Sequence, residues 1–168
     1  DVYKRQVTHS PMWGVTRNPY NLAASPGGSS GGAGAALAAG MAALATASDI
    51  AGSTRIPAGF TGTVGYKAPY GRIPGAPPLS ADTYRGDGPM ARTVDDTALL
   101  ADVMSGHHHS DHFSWGGSGQ LAGTLDAHTS LDGVRLPFSP YRPPCCERGA
   151  VLPERFGIKR IGLVPISS

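Results

Sequence analysis

The sequence has little charge, few aromatic residues and very little cysteine. Of its 168 residues 15% are charged and 7% are aromatic, and the cysteines are an adjacent pair, Cys145 and Cys146. Two neighbouring cysteines make no disulfide framework, so we expect reduced thiols and a cytoplasmic protein. Lysine and arginine number 14 against 12 for aspartate and glutamate, a balance too even to indicate a nucleic-acid-binding protein.

Long apolar runs are also missing. The longest weakly charged apolar run, residues 33–47, is shorter than the roughly 20 residues of a membrane span, so no membrane partner is expected. Glycine and proline are abundant, at 24 and 15 residues, but the glycines cluster without the period of collagen. The low charge and an apolar content of 40% exclude a disordered polyelectrolyte. The length fits one domain or part of a larger one.

Residue patterns predict alternating helices and strands. The predicted helices are residues 29 to about 44, 54–60 with an interruption at Pro57, and 94–105 between the N-cap Thr93 and the stop at Gly106. The predicted strands are residues 46–50, 63–67 and 160–164. Residues 68–89 hold five prolines and four glycines and predict a long ordered loop.

Residues 27–31 contain a serine motif with two readings. Gly-Gly-Ser-Ser-Gly fits the G-x-S-x-G pattern of the α/β-hydrolase nucleophile elbow, with Ser29 at its centre. That elbow needs a strand before the serine, and Pro26 with its polar neighbours does not predict one. This segment by itself leaves open a nucleophile at Ser29 or a glycine-rich helix cap without chemistry.

A second serine loop, residues 49–55, follows the Ala-rich helix. Ser53 stands after a glycine-containing turn, which exposes its hydroxyl and aligns backbone N–H groups that can face a developing oxyanion. Asp49 and Arg55 can pair across this turn. Alone, the segment is equally typical of an ordinary turn with an ion pair.

Five blocks in one order resemble the amidase signature family. They are residues 14–21, 27–32, 49–57, 65–72 and 88–94. The resemblance implies an α/β fold, with a mixed β-sheet core flanked by helices on both faces and truncated here at both ends. It also implies hydrolysis of a small-molecule amide with no metal and no cofactor, and it is compatible with a homodimer.

The resemblance also implies roles for individual residues. Ser53 is the nucleophile that carries the acyl group, and Ser29, after a cis peptide bond at Gly28, relays the proton to a neutral lysine. The oxyanion hole is expected from the backbone N–H groups of Ile50, Ala51, Gly52 and Ser53, and the supporting residues are Gly28, Ser30, Asp49 and Arg55.

Two features depart from the family pattern. The family's catalytic lysine precedes the first serine by tens of residues, whereas the lysines here are Lys4, Lys67 and Lys159, and none fits that place. The 168 residues by themselves are therefore expected to be hydrolytically inert. Ala51 stands where the family usually has glycine, so a turn that needs positive φ would be strained there.

The expected domain organisation follows from these blocks. Residues 1–6 look like a translated sequencing adapter, and residues 7–168 are expected to form a partial single amidase domain. Within it we expect a signature core at 12–106, a divergent loop region at 107–157 and a strand at 158–165. The histidines at 107–109 and 112 are expected in a solvated loop rather than in a metal site.

Three other functions stay open at this point. The transamidating component of an aminoacyl-tRNA amidotransferase shares the triad, although residues 70–90 lack the Ser-rich glutamine-pocket pattern of that subfamily. An α/β-hydrolase would use Ser29 as its nucleophile. A non-catalytic remnant of the fold would keep the loops without a lysine.

Overall fold

A computed structural model describes residues 8–116 and 121–122, all within a unit that spans Asp1–Ala127. In chain order the elements are β1 (His9–Ser10), β2 (Gly14–Val15), α1 (Gly31–Ala38), β3 (Leu44–Asp49), α2 (Arg55–Thr61), β4 (Val64–Gly65), a 3-10 turn (Leu79–Ala81), β5 (Gly86–Ala91) and α3 (Val94–Met104). The vicinal cysteines, the strand predicted at 160–164 and most of the divergent loop region lie outside the described residues.

β5 is the central strand of a three-stranded antiparallel sheet in the order β3-β5-β4. Its register with β3 runs from Leu44↔Ala91 to Asp49↔Gly86. Helices α1 and α3 pack against β3 and β5 respectively, and α1 also packs against α2. The described residues thus contribute antiparallel strands and packed helices to the expected α/β fold.

Small residues let these elements approach closely. The core cluster is formed by Leu37, Ala47, Ala58 and Met90, of which Leu37 and Met90 are fully buried. A Cβ on Gly34 of α1 would lie only 2.9 Å from the Thr61 hydroxyl of α2. The many alanines and glycines therefore serve close packing between backbones rather than an amphipathic helix face.

The Ala-rich helix is shorter than the sequence predicts. It ends at Ala38, Gly40 follows with φ 72°, and Leu44 already begins β3. A left-handed glycine stops the helix, and pairing with β5 draws residues of good helix propensity into a strand. Pro57 does not interrupt α2, because it is in the first turn, where a backbone N–H has no helical partner to lose.

The sequence predicts a loop over most of the residues that form β5. The reason is that Gly88 and Pro89, in the middle of this strand, are more typical of loops. The Pro89 carbonyl accepts the Tyr66 N–H at 3.1 Å, and the backbone at Gly88 passes so close to the Tyr66 carbonyl that a side chain would collide there. Proline and glycine are unusual inside a central strand, so local propensity argued against it.

The predicted cap of α3 is confirmed. Thr93 is extended at φ −120° and ψ 160°, and its hydroxyl accepts the Asp96 N–H at 3.1 Å. The same hydroxyl donates to the Asp96 carboxylate at 2.7 Å. Beyond the end of the helix, the Gly106 N–H donates to the Arg72 carbonyl at 3.0 Å, which ties the end of the helix to the preceding loop.

Thr93→Ala is expected to lower the free energy of unfolding by about 1 kcal/mol, because an N-terminal N–H of α3 loses its acceptor. Urea denaturation followed by circular dichroism measures the change. Thr93→Ser keeps the hydroxyl and is the matched control. Equal midpoints for the alanine variant and the unsubstituted chain would contradict the capping role.

Candidate active site

The two serine loops lie against each other. Ser29 precedes α1 and Ser53 precedes α2, and both residues are buried. The Ser30 N–H donates to the Ser53 carbonyl at 3.2 Å. The structure therefore brings together the two loops that the sequence separates by a helix and a strand.

Ser30 also links the first loop to β3. Its hydroxyl lies 3.4 Å from the Ser48 N–H nitrogen, from which it accepts, and 3.5 Å from the Ser48 carbonyl oxygen. The peptide bond between Gly28 and Ser29 is cis, as the resemblance implied. Hydrogen bonds of Ser30 thus hold the first serine loop against both the second serine loop and β3.

The Asp49 carboxylate organises the second loop. It accepts the backbone N–H groups of Gly52 at 2.7 Å, Thr54 at 3.2 Å and Arg55 at 3.4 Å. The Arg55 guanidinium adds two contacts at 2.9 and 3.0 Å, so the predicted ion pair is confirmed and is bidentate. Five hydrogen bonds converge on one buried side chain.

These bonds keep Asp49 ionised although it is buried. Burial alone favours the neutral acid and raises the pKa, but the Arg55 hydrogen bond and the backbone N–H groups outweigh it. The pKa of Asp49 consequently falls from 3.8 to about 2. In turn, the hydrogen bond to Asp49 raises the pKa of Arg55, so both partners are charged at neutral pH.

The backbone of residues 50–53 corrects two expectations. No non-glycine residue that the structure describes has a positive φ, so Ala51 carries no such strain. The left-handed position is Gly52, with φ 109°, where a Cβ would lie 2.7 Å from the Ile56 side chain. The Gly52 N–H is already bound to Asp49 and is therefore not available to an oxyanion, contrary to the expectation. Ile50, Ala51 and Ser53 keep that expected role.

An open cavity of about 690 Å³ lies in front of Ser29 and Ser30. Its other lining residues include Thr46, Ser48, Ile73, Met104 and the ion pair of Arg85 and Asp87, whose atoms are 3.2 Å apart. The sequence analysis does not predict that this ion pair lines a cavity. Both residues stood in the predicted loop, and only the pairing of β5 with β3 brings them to the serines.

No strand leads into Ser29: residues 25–28 are irregular and the helix follows directly. The strand–turn–helix elbow of an α/β-hydrolase is therefore missing at Ser29, which removes the structural support for that alternative.

The histidine loop contacts nearby serines. A ring nitrogen of His107 lies 3.1 Å from the Ser114 carbonyl, and one of His108 lies 2.7 Å from the Ser110 hydroxyl. Within the described residues no three metal-binding side chains come together. None of the described helices combines the length and apolar character of a membrane span.

A family model described as Amidase matches residues 5–116, which is more than half of the chain. The chain belongs to the amidase family. This membership agrees with the α/β architecture and with the paired serine loops.

Curated and solved relatives agree with this assignment. The 6-aminohexanoate-cyclic-dimer hydrolase of Pseudomonas sp. (strain NK87) is 51% identical over 113 residues, which cover 64% of this chain and 23% of the hydrolase. One component of the glutamyl-tRNA(Gln) amidotransferase of Corynebacterium jeikeium (strain K411) is 50% identical over 109 residues, 64% of this chain and 22% of that component.

Among solved structures, a bacterial aryl acylamidase of the amidase signature family superimposes with a TM-score of 0.67 at 39% identity. The match covers 72% of this chain and 25% of that one. This chain thus spans about a quarter of the length of the relatives it matches.

Acid is expected to weaken the fold through Asp49. The pKa of Asp49 is lower in the folded than in the unfolded state. The ionised carboxylate therefore stabilises the fold fully above pH 3.8, and this stabilisation is lost as the pH falls towards about 2. The expected loss in the free energy of unfolding is about 2 kcal/mol, measured by urea denaturation across this range. Asp49→Asn is the control and is expected to be less stable at neutral pH and less pH-dependent. An equally steep dependence in that variant would contradict the assignment.

Thr54→Val is expected to raise the free energy of unfolding by about 1 kcal/mol. The Thr54 side chain is fully buried beside the loop that carries Ser53, and its hydroxyl has no hydrogen-bond partner among the described residues. Valine has the same shape without the unsatisfied oxygen. Thermal unfolding compares it with Thr61→Val, a control that removes a hydroxyl bound to the Pro57 carbonyl at 2.7 Å and should destabilise. A lower melting temperature for Thr54→Val would contradict the expectation.

Proposed function

We propose that the protein to which this chain belongs hydrolyses a carboxamide through an acyl-enzyme on Ser53, with Ser29 as the proton relay. One observation carries the proposal: the hydrogen bond from the Ser30 N–H to the Ser53 carbonyl joins the two serine loops in a member of the amidase family. The proposal includes a small-molecule amide as substrate and a cytoplasmic location.

The reaction begins with attack of the Ser53 hydroxyl oxygen on the amide carbon. A serine hydroxyl is a weak nucleophile, so its proton must leave as the bond forms. Ser29 takes that proton and passes its own to the base. The negative charge on the former carbonyl oxygen is stabilised by backbone N–H groups, for which we propose Ile50, Ala51 and Ser53.

The second half of the reaction reverses the proton path. Ser29 donates a proton to the nitrogen of the leaving amine, the carbon–nitrogen bond breaks, and an ester on Ser53 remains. Water then attacks that ester with the same proton relay, releases the carboxylic acid and restores the serine. The amine thus carries away the proton that Ser53 lost, and the water supplies the proton that restores the Ser53 hydroxyl.

Lys67 does not suit the role of that base. Its ammonium nitrogen donates to the carbonyls of Asp49 at 2.9 Å and Tyr84 at 2.6 Å. It lines a second cavity, in front of Ile50 and Tyr84, rather than the one in front of Ser29. The proposal therefore takes the family's lysine base from a part of the protein outside these 168 residues, and the 168 residues alone are expected to give no turnover above a Ser53→Ala background.

A chimera tests the proposal on a complete scaffold. Residues 8–116 replace the matching segment of the Pseudomonas 6-aminohexanoate-cyclic-dimer hydrolase, which then supplies the rest of the enzyme. The chimera is expected to hydrolyse an amide substrate, and Ser53→Ala is expected to lower kcat by about 10³-fold or more. Ser110→Ala, in the histidine loop, is the matched control and should retain activity. A folded chimera in which Ser53→Ala stays as active as its parent would contradict the proposal.

Covalent labelling gives a readout that does not depend on the substrate. A fluorophosphonate probe followed by peptide mass spectrometry is expected to modify Ser53 in the chimera. Modification of Ser29 instead would favour the hydrolase alternative with that nucleophile. A folded chimera that resists the probe would favour the non-catalytic remnant.

The similarity to a component of the glutamyl-tRNA(Gln) amidotransferase supports a second candidate, transamidation. In that reaction the acyl-enzyme forms from glutamine, and the released ammonia is transferred rather than lost. Rapid labelling of Ser53 by glutamine, together with co-purification of a partner protein with the intact protein, would favour it over simple hydrolysis.

A further inference from the structure

We infer that Lys67 is a positioning residue for the oxyanion hole, because its ammonium group fixes the peptide plane between Asp49 and Ile50. In this orientation the Ile50 N–H faces the serine pair. The inference rests on the proposed function, since it concerns the same reaction.

The side chain of Lys67 reaches across the sheet to the end of β3. Lys67 lies two residues after β4, and β4 is separated from β3 by the central strand β5. A Cβ on Gly86, the β5 residue paired with Asp49, would lie 3.4 Å from the lysine nitrogen. The absence of a side chain at Gly86 leaves the space through which the ammonium group reaches the Asp49 carbonyl.

The Asp49 carbonyl points away from the serines. At the preceding residue, the N–H and carbonyl of Ser48 face the Ser30 hydroxyl, at 3.4 and 3.5 Å. Successive residues of an extended strand direct their backbone groups to opposite edges. The Asp49 carbonyl accordingly lies on the other edge, where Lys67 binds it at 2.9 Å.

The orientation of that carbonyl determines the direction of the next N–H. In a planar trans peptide the carbonyl and the N–H point in opposite directions. With its oxygen held by Lys67, the Asp49–Ile50 peptide directs the Ile50 N–H back towards the edge where Ser30 lies. Ser30 in turn is bonded to the carbonyl of Ser53. The Ile50 N–H is thus aimed at the proposed nucleophile.

The peptide lies at the end of the β3–β5 pairing, at Asp49↔Gly86, and Lys67 adds a charged donor there. The Asp49 side chain does not perform this task. The Asp49 carboxylate holds the N–H groups of Gly52, Thr54 and Arg55, all further along the loop. If the Asp49–Ile50 peptide turned over, a carbonyl oxygen would face the developing oxyanion and repel it. A charge-assisted hydrogen bond from an ammonium group that is also anchored on Tyr84 opposes that rotation.

The kinetic test uses Lys67→Met in the chimera. Methionine keeps much of the hydrocarbon stem and removes the charge and the donors, so kcat is expected to fall about 10- to 100-fold while KM stays within about twofold. Arg17→Met removes an exposed cation outside the two serine loops and should leave both constants unchanged. An active parent chimera in which Lys67→Met keeps its kcat would overturn the inference and leave the proposed function standing.

A spectroscopic test uses the 168-residue chain and needs no activity. In Lys67→Met, the carbonyl carbon of Asp49 and the amide of Ile50 are expected to shift and broaden in NMR spectra, while the amides of Gly52 and Thr54 stay in place. Unchanged signals at Asp49 and Ile50 would overturn the inference. Equal changes at all four residues would also overturn it, because they would indicate general loosening of the loop.

If Lys67→Met does not fold, Lys67→Leu, which also removes the charge and the donors, enters the same comparison with the same expected pattern. If the parent chimera folds but neither turns over nor reacts with the probe, the proposed function fails. The NMR comparison then decides the orienting role of Lys67 alone.

Discussion

A charged carboxylate, buried at the last residue of β3, organises the chain that follows it. Asp49 accepts three backbone N–H groups and a bidentate arginine, and these bonds outweigh the cost of removing its charge from water. The loop that carries Ser53 is therefore wrapped around a fixed anion. Because α2 starts at Arg55, the same ion pair also sets where that helix begins.

Different groups hold different parts of the site. The Asp49 side chain binds the loop after residue 51, and its own carbonyl is bound by Lys67. Ser30 joins the first serine loop to the second through the Ser53 carbonyl. Hydrogen bonds to backbone groups thus hold most of the site in place, which explains why small residues and glycines dominate this region. Side chains would block the close approaches between backbone segments, as at Gly88 of β5 against the Tyr66 carbonyl.

Local signals in the sequence predicted some elements well and others poorly. The cap of α3 was predictable because Thr93 and Asp96 act on each other within one turn. The length of α1 was not, since Leu44 and its neighbours have helix propensity but pair with β5. β5 itself was missed because Gly88 and Pro89 argue against a strand unless the strand partners are known.

The sequence by itself determined the family, the order of the two serine loops and the pairing of Asp49 with Arg55, because these features depend on residue types at short, fixed spacings. Only the tertiary structure decided that the Gly52 N–H belongs to Asp49, that Arg85 and Asp87 line the cavity beside Ser29, and that Lys67 holds the Asp49 carbonyl. Each of these contacts requires a strand register or a backbone direction. Such quantities are fixed by packing between distant segments and leave no local signature in the residues themselves.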